Sequence, residues 1–83
     1  MANRVEWTLE VEGMSCKHCA HAVDEAVREV PGVVESRTDH AQGRCVILAD
    51  SSVAAASLVA AVESAGYKVV SHRSRQPIVE SWT

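Results

Sequence analysis

The residues best equipped for chemistry are two thiols three positions apart, Cys16 and Cys19, in the stretch Gly13-Met14-Ser15-Cys16-Lys17-His18-Cys19. Soft metal ions prefer thiolate sulfur, and two thiolates at this spacing can close on one ion. Cu(I) is satisfied by two thiolates, or by three in a plane, so a two-cysteine site holds it and leaves an approach for a third sulfur. Zn(II) prefers four tetrahedral ligands, and this stretch supplies only two certain ones. Cys16 falls in a loop and Cys19 in the first turn of a helix, where unpaired backbone N–H groups favour a negative sulfur. Lys17 adds positive charge, so both effects should lower the thiol pKa values and metal binding should release protons.

The neighbours of the two thiols divide into anchors and modulators. Met14 reads as a gap-filler that turns inward and ties the loop to the core, in preference to a third sulfur ligand. His18 has two readings, a third ligand or a solvated imidazole that tunes exchange, and the second is the simpler. His21, His40 and His72 read as surface residues. Cys45 shares its parity with Ile47 and Ala49, which makes it a small buried hydrophobe on the inner face of a strand and not a ligand. No Ser/His/Asp arrangement, paired carboxylates or phosphate loop suggests other catalysis.

The elements that must position this loop follow from periodicity. Val5, Trp7, Leu9 and Val11 alternate with Arg4, Glu6, Thr8, Glu10 and Glu12, which predicts a strand over 4–11 with one buried face. Gly13 breaks the run. From about Lys17 the period becomes helical, with Cys19, Val23, Ala26, Val27 and Val30 on one stripe and Asp24, Glu25, Arg28 and Glu29 facing water. Pro31-Gly32 ends that helix. Strands are expected over 33–39 and 44–49 around the turn His40-Ala41-Gln42-Gly43, giving a hairpin. Asp50-Ser51-Ser52 offers capping oxygens to a helix over 53–65, which Gly66 stops. A last strand is expected over Tyr67 to Ser71.

The order strand, helix, strand, strand, helix, strand predicts an α+β domain: a βαββαβ sandwich of one four-stranded antiparallel sheet with two helices on a single face. The domain is assigned to 1–72. Residues 73–83 form a tail, either disordered or folded over the outer sheet face, where Ile78, Val79 and Trp82 could meet Val46, Leu48 and Val70.

Bulk properties narrow the partners. With 83 residues, 47% of them apolar, the chain has one core. A net charge of −3 argues against nucleic acid. No apolar run approaches a membrane span, and no charged-then-apolar leader opens the chain. Three cysteines, an odd count, favour a reducing, cytoplasmic setting over a disulfide framework.

Gly13-Met14-Ser15-Cys16-x-x-Cys19, Pro31-Gly32 and Ala65-Gly66-Tyr67 together resemble the heavy-metal-associated domain family over residues 5 to about 71, and within it the small bacterial copper chaperones. The resemblance implies a ferredoxin-like fold, Cu(I) held by Cys16 and Cys19, and transfer by ligand exchange to a metal-binding domain of a copper-transporting P-type ATPase. It also implies that Tyr67 shields the metal and brings a hydroxyl near the sulfurs; the plainer alternative is core packing at a strand start. Zinc-handling members tend to carry an acidic residue beside the first cysteine, so Ser15 leans towards copper over Zn(II). Hg(II) and Ag(I) are the other soft candidates. Ser36 and Thr38 depart from the branched apolar residues the family usually places there, and point to an edge strand.

Three alternatives stay open. The chain could be a domain cut from such an ATPase, although Met1 and Thr83 suggest a complete protein. A thiol–disulfide oxidoreductase also carries Cys-x-x-Cys before a helix, but Pro31 and Pro77 are misplaced for its cis-proline loop. A copper-bridged homodimer would use four cysteines from two chains. Lys17, His18 and Lys68 should make the loop's rim positive, matched to an acidic docking partner.

Overall fold

The computed structural model describes residues 4–75. Strand β1 (Arg4–Glu12) leads through the cysteine loop into helix α1 (Lys17–Arg28), followed by β2 (Val33–Asp39), β3 (Arg44–Asp50), helix α2 (Ala55–Ser64) and β4 (Lys68–Arg75). The strands form one sheet in the order β2-β3-β1-β4. Every neighbouring pair is antiparallel. This is the expected ferredoxin-like βαββαβ arrangement.

Alternation along β1 and β3 makes the inner face. Leu9, Val11, Cys45, Ile47 and Ala49 pack beneath Val23 and Val27 of α1 and Leu58 and Val62 of α2. Each fully buried Leu or Val is worth about 1.5–3 kcal/mol relative to exposure, so this layer carries most of the folding drive. With no Phe in the chain, aliphatic side chains fill it. The cysteine loop hangs between the central strand β1 and the N-terminus of α1, two elements fixed by this core. Gly32 tightens the other end of the molecule: its φ is +96°, and a Cβ there would lie 2.6 Å from Val53 Cγ2.

Four details differ from the sequence expectations. First, β4 runs to Arg75, past the expected end at Ser71 and past the assigned boundary at residue 72. Backbone pairing decides this, because β1 offers Thr8, Trp7 and Glu6 as partners to Arg73, Ser74 and Arg75. The expectation for the rest of the tail, including Ile78, Val79 and Trp82, lies outside the described residues.

Second, α2 starts at Ala55 with Ala54 at its N-cap and no side-chain cap. The Asp50 carboxylate instead accepts from the Ser52 N–H at 2.9 Å, closing a turn ahead of the helix. Third, Glu6 is 2% exposed although its parity places it on the outer face. β1 is central, so outward side chains there are hemmed in by both neighbours, and Arg75 Nε donates to Glu6 Oε1 at 2.6 Å.

Fourth, Asp24 does not simply face water. Its Oδ1 accepts from Ser36 Oγ at 2.9 Å and Thr38 Oγ1 at 2.5 Å. β2 is an edge strand, as Ser36 and Thr38 suggested, yet Ser36 is only 2% exposed. Those hydroxyls stand where apolar residues were expected because the helix supplies a carboxylate to receive them. Among the described residues no helix is long and apolar enough to cross a membrane.

Candidate metal centre

The loop leaves β1 at Gly13, whose φ of +95° is open to glycine and strained for other residues. A Cβ at this position would touch the Tyr67 ring at 3.4 Å, so the glycine also lets that ring lie against the loop. Met14 is half-buried and packs against the core. Cys16 then takes the N-cap position of α1 in extended backbone geometry. Its carbonyl accepts from the N–H groups of Cys19 at 3.1 Å and Ala20 at 3.3 Å. The helix thereby holds both cysteines at its own entrance.

The two sulfurs lie 3.7 Å apart, with Cys16 exposed and Cys19 partly so. Both can therefore reach one ion without rearranging the backbone. Ser15 Oγ approaches Cys19 Sγ at 3.9 Å. Lys17 and His18 are exposed, and so is Lys68 at the start of β4. Among the described residues no three His, Cys, Asp or Glu side chains gather as a metal site, so the thiol pair stands without a third such group.

Cys19 is an acidic thiol, with its pKa lowered from 9.0 to about 6. The chief cause is the Tyr67 hydroxyl, which hydrogen-bonds the sulfur; the Ser15 backbone and the Cys16 thiol follow. The same contact raises the Tyr67 pKa, as it must when a phenol donates to a sulfur that carries negative charge. Lys17 is not among the causes, so the expected lysine effect gives way to a phenol fifty positions downstream. Sequence spacing had no means of revealing this contact. Only the family resemblance pointed to Tyr67.

The remaining candidates fall away from the loop. His21 Nε2 pairs with Glu25 Oε1 at 2.9 Å along the exposed side of α1. His72 is exposed, its ring tilted at 59° to Trp7 with centroids 6.0 Å apart. Cys45 is fully buried and unreactive in character: burial pushes its thiol up to about 11.

Comparison with known proteins agrees with this architecture. The family model for the heavy-metal-associated domain matches residues 8–68. The copper chaperone CopZ of Staphylococcus aureus is 40% identical over 63 residues, covering 75% of this chain and 93% of that protein. A mercuric reductase of Serratia marcescens is 39% identical over 62 residues, 75% of this chain, but the match spans only 14% of that enzyme. Among solved structures, a CopZ metallochaperone superimposes with a TM-score of 0.75 at 38% identity, over 78% of this chain and 98% of that one. The water-soluble region of the P-type ATPase CopA from Bacillus subtilis gives 0.77 at 25% identity, over 84% of this chain and 47% of that one. The chain belongs to the heavy-metal-associated domain family.

Proposed function

We propose that this protein is a cytoplasmic carrier that binds one Cu(I) ion through Cys16 and Cys19 and hands it to a metal-binding domain of a copper-transporting P-type ATPase. The observation that carries the reading is the pair of sulfurs 3.7 Å apart at a helix entrance, Cys16 exposed and Cys19 partly so. A soft donor pair with no third His, Cys, Asp or Glu beside it among the described residues suits Cu(I) better than Zn(II), which wants four. Ag(I) and Hg(II) share the preference for sulfur and would compete in vitro. Similarity to copper chaperones and to an ATPase domain supports copper as the cargo and the ATPase as the recipient.

Transfer follows from the exposure of the thiols. A thiolate of the recipient attacks the bound ion, one Cu–S bond to this chain breaks, and the released thiolate stays on Cys16 or Cys19. The second exchange repeats the step, so no net oxidation or reduction occurs. The acidity of Cys19 keeps its sulfur unprotonated near neutral pH, and Met14 keeps the loop from wandering. Lys17, His18 and Lys68 at the rim favour a recipient with acidic residues around its own cysteines. No catalytic turnover is assigned to the chain. At low thiol concentration two copies could share copper through four cysteines.

The same domain also occurs within longer proteins, as in CopA and the mercuric reductase, so the metal site could serve as a regulatory or relay module of such an assembly. Copper K-edge absorption on the loaded protein tests the central claim. Two short Cu–S distances without a nitrogen shell are expected. An imidazole signal would promote His18 to a ligand, and a preference for Zn(II) in anaerobic competition would overturn the copper assignment.

A further inference from the structure

The outer face of the sheet, opposite the helices, is buried more deeply at one end than its strand neighbours explain. Leu48 is 6% exposed, yet it stands outside the core cluster, which lies on the inner face. Its register partner Glu6 is 2% exposed. The next row on the same face behaves differently. Thr8 and Val46 are smaller than Glu6 and Leu48 and are likewise flanked by strands on both sides, but they stay only half-buried. Neighbouring strands close the flanks of an outward side chain and not its tip, because side chains stand roughly perpendicular to the sheet. Glu35 and Arg75, at the two ends of the Leu48–Glu6 row, keep 46% and 59% of their side-chain surface, so neither lies flat across it. Among the described residues no helix or strand lies over this face.

The covered row is also the row at which the chain leaves the sheet. Arg75 opposite Glu6 is the last pair of β4, and eight residues follow it in the sequence, Gln76-Pro77-Ile78-Val79-Glu80-Ser81-Trp82-Thr83. Pro77 has no N–H to give to a strand ladder, so it favours a departure from the β4 line. Eight residues reach roughly 26 Å when extended, and a row of four strands spans roughly 14 Å. The chemistry of the segment suits the face. Ile78, Val79 and Trp82 match Leu48 and Val46, and Glu80 is the segment's one charged side chain. Beside the covered row lies a groove of about 450 Å³ lined by Arg37, Arg44, Arg73 and Arg75 against the carboxylate of Glu6. Glu6 takes Arg75 at 2.6 Å and Glu10 stands 3.7 Å from Arg44, so positive charge stays in excess along the groove.

We propose that residues 76–83 turn back at Pro77 and lie across the outer face as a cover, with Ile78 and Val79 over Leu48 and Glu6, and Glu80 towards the arginines of the groove. The Arg75 guanidinium makes this cover tolerable over Glu6, because a buried carboxylate needs a paired charge. The cover closes an apolar patch that would otherwise invite a second copy. Glu6 lies six residues along β1 from Glu12, roughly 20 Å from the start of the cysteine loop, so the loop stays open. The inference is independent of the copper reading.

The test is methyl NMR on the full-length, reduced, metal-free chain. Nuclear Overhauser contacts are expected between the methyl groups of Leu48 and those of Ile78 or Val79, unchanged on tenfold dilution. Ile78→Ser combined with Val79→Ser should erase them, shift the Leu48 methyl signals and lower the urea midpoint, with Cu(I) stoichiometry retained. Glu80→Gln should keep the methyl contacts and move the Nε–H signal of at least one groove arginine. Leu48 methyl signals identical in the serine variant would overturn the cover. So would contacts to Leu48 from Met1 or Ala2, which would give the row to the other end of the chain. Contacts that fade on dilution would give it to a second copy and overturn the proposal equally.

Discussion

Cys19 and Cys45 share a side chain and differ in nearly everything the fold does to it. Cys19 sits at a helix entrance against the Tyr67 hydroxyl, and its pKa falls to about 6. Cys45 lies at the centre of the inner sheet face, with the Thr38 hydroxyl 3.3 Å from its sulfur, and burial drives its pKa to about 11. Desolvation penalises the thiolate in one place, and donors reward it in the other. Thiol chemistry in this protein is therefore a property of position. On the proposed reading the loop binds a soft cation near neutral pH, while the core cysteine behaves as a small hydrophobe.

The sharpest way to break this contrast is to exchange the sulfurs. Cys16→Ser with Cys19→Ser should abolish stoichiometric Cu(I) binding, measured by competition with a chromophoric chelator, whereas Cys45→Ser should leave it intact. Retention of copper by the double variant would remove the loop from the site. Alkylation of the metal-free protein by iodoacetamide at pH 7, followed by mass spectrometry, should label Cys19 about a hundredfold or more faster than Cys45. Comparable rates would mean that the two environments are not distinct in solution.

A smaller effect isolates the cause. Tyr67→Phe should move the pH midpoint of Cys19 alkylation up from about 6 towards the ordinary thiol value and weaken Cu(I) binding about 10–100-fold. An unchanged midpoint would return the credit to the helix entrance. Smallest on the metal site, though not on the fold, is Asp24→Ala. It strips the acceptor from Ser36 and Thr38 and should cost about 1–3 kcal/mol in urea unfolding with copper affinity unaltered.

The two thiols also predict opposite pH trends in stability. The Cys19 pKa is lower in the folded state, so its contribution is full above about 9 and is lost as pH falls through about 6. The Cys45 pKa is higher in the folded state, so its contribution is full below about 9 and is lost as pH rises through about 11. Comparing thermal unfolding of Cys45→Ala with the parent from pH 8 to 11 should show the parent losing its advantage at the alkaline end.

Much of this was legible from residue order. Alternation in 4–11 against the helical stripe Val23, Val27 gave the element types, because periods of two and 3.6 expose different faces. Glycine and proline punctuation set the loop and the helix ends. The harder features all join residues distant in sequence. Asp24 looked solvated on its helical wheel, yet it meets Ser36 and Thr38 only once α1 lies across β2. Glu6 looked like an ordinary outer-face charge until the sheet order made β1 central and brought in Arg75 from the far end of the chain.

By itself the sequence determined that Cys16 and Cys19 would share one side of a loop and helix entrance, since a spacing of three residues spans a single helical turn. It also determined the alternation of β1 and the apolar stripe of α1 that carries Val23 and Val27. Tertiary structure alone decided what makes the Cys19 sulfur acidic, a phenol delivered by the loop before β4, and which arginines share the outer face, through the register of strands that sequence order keeps apart. Local covalent spacing carries the first kind of information; the second exists only after backbone hydrogen bonds have aligned distant segments.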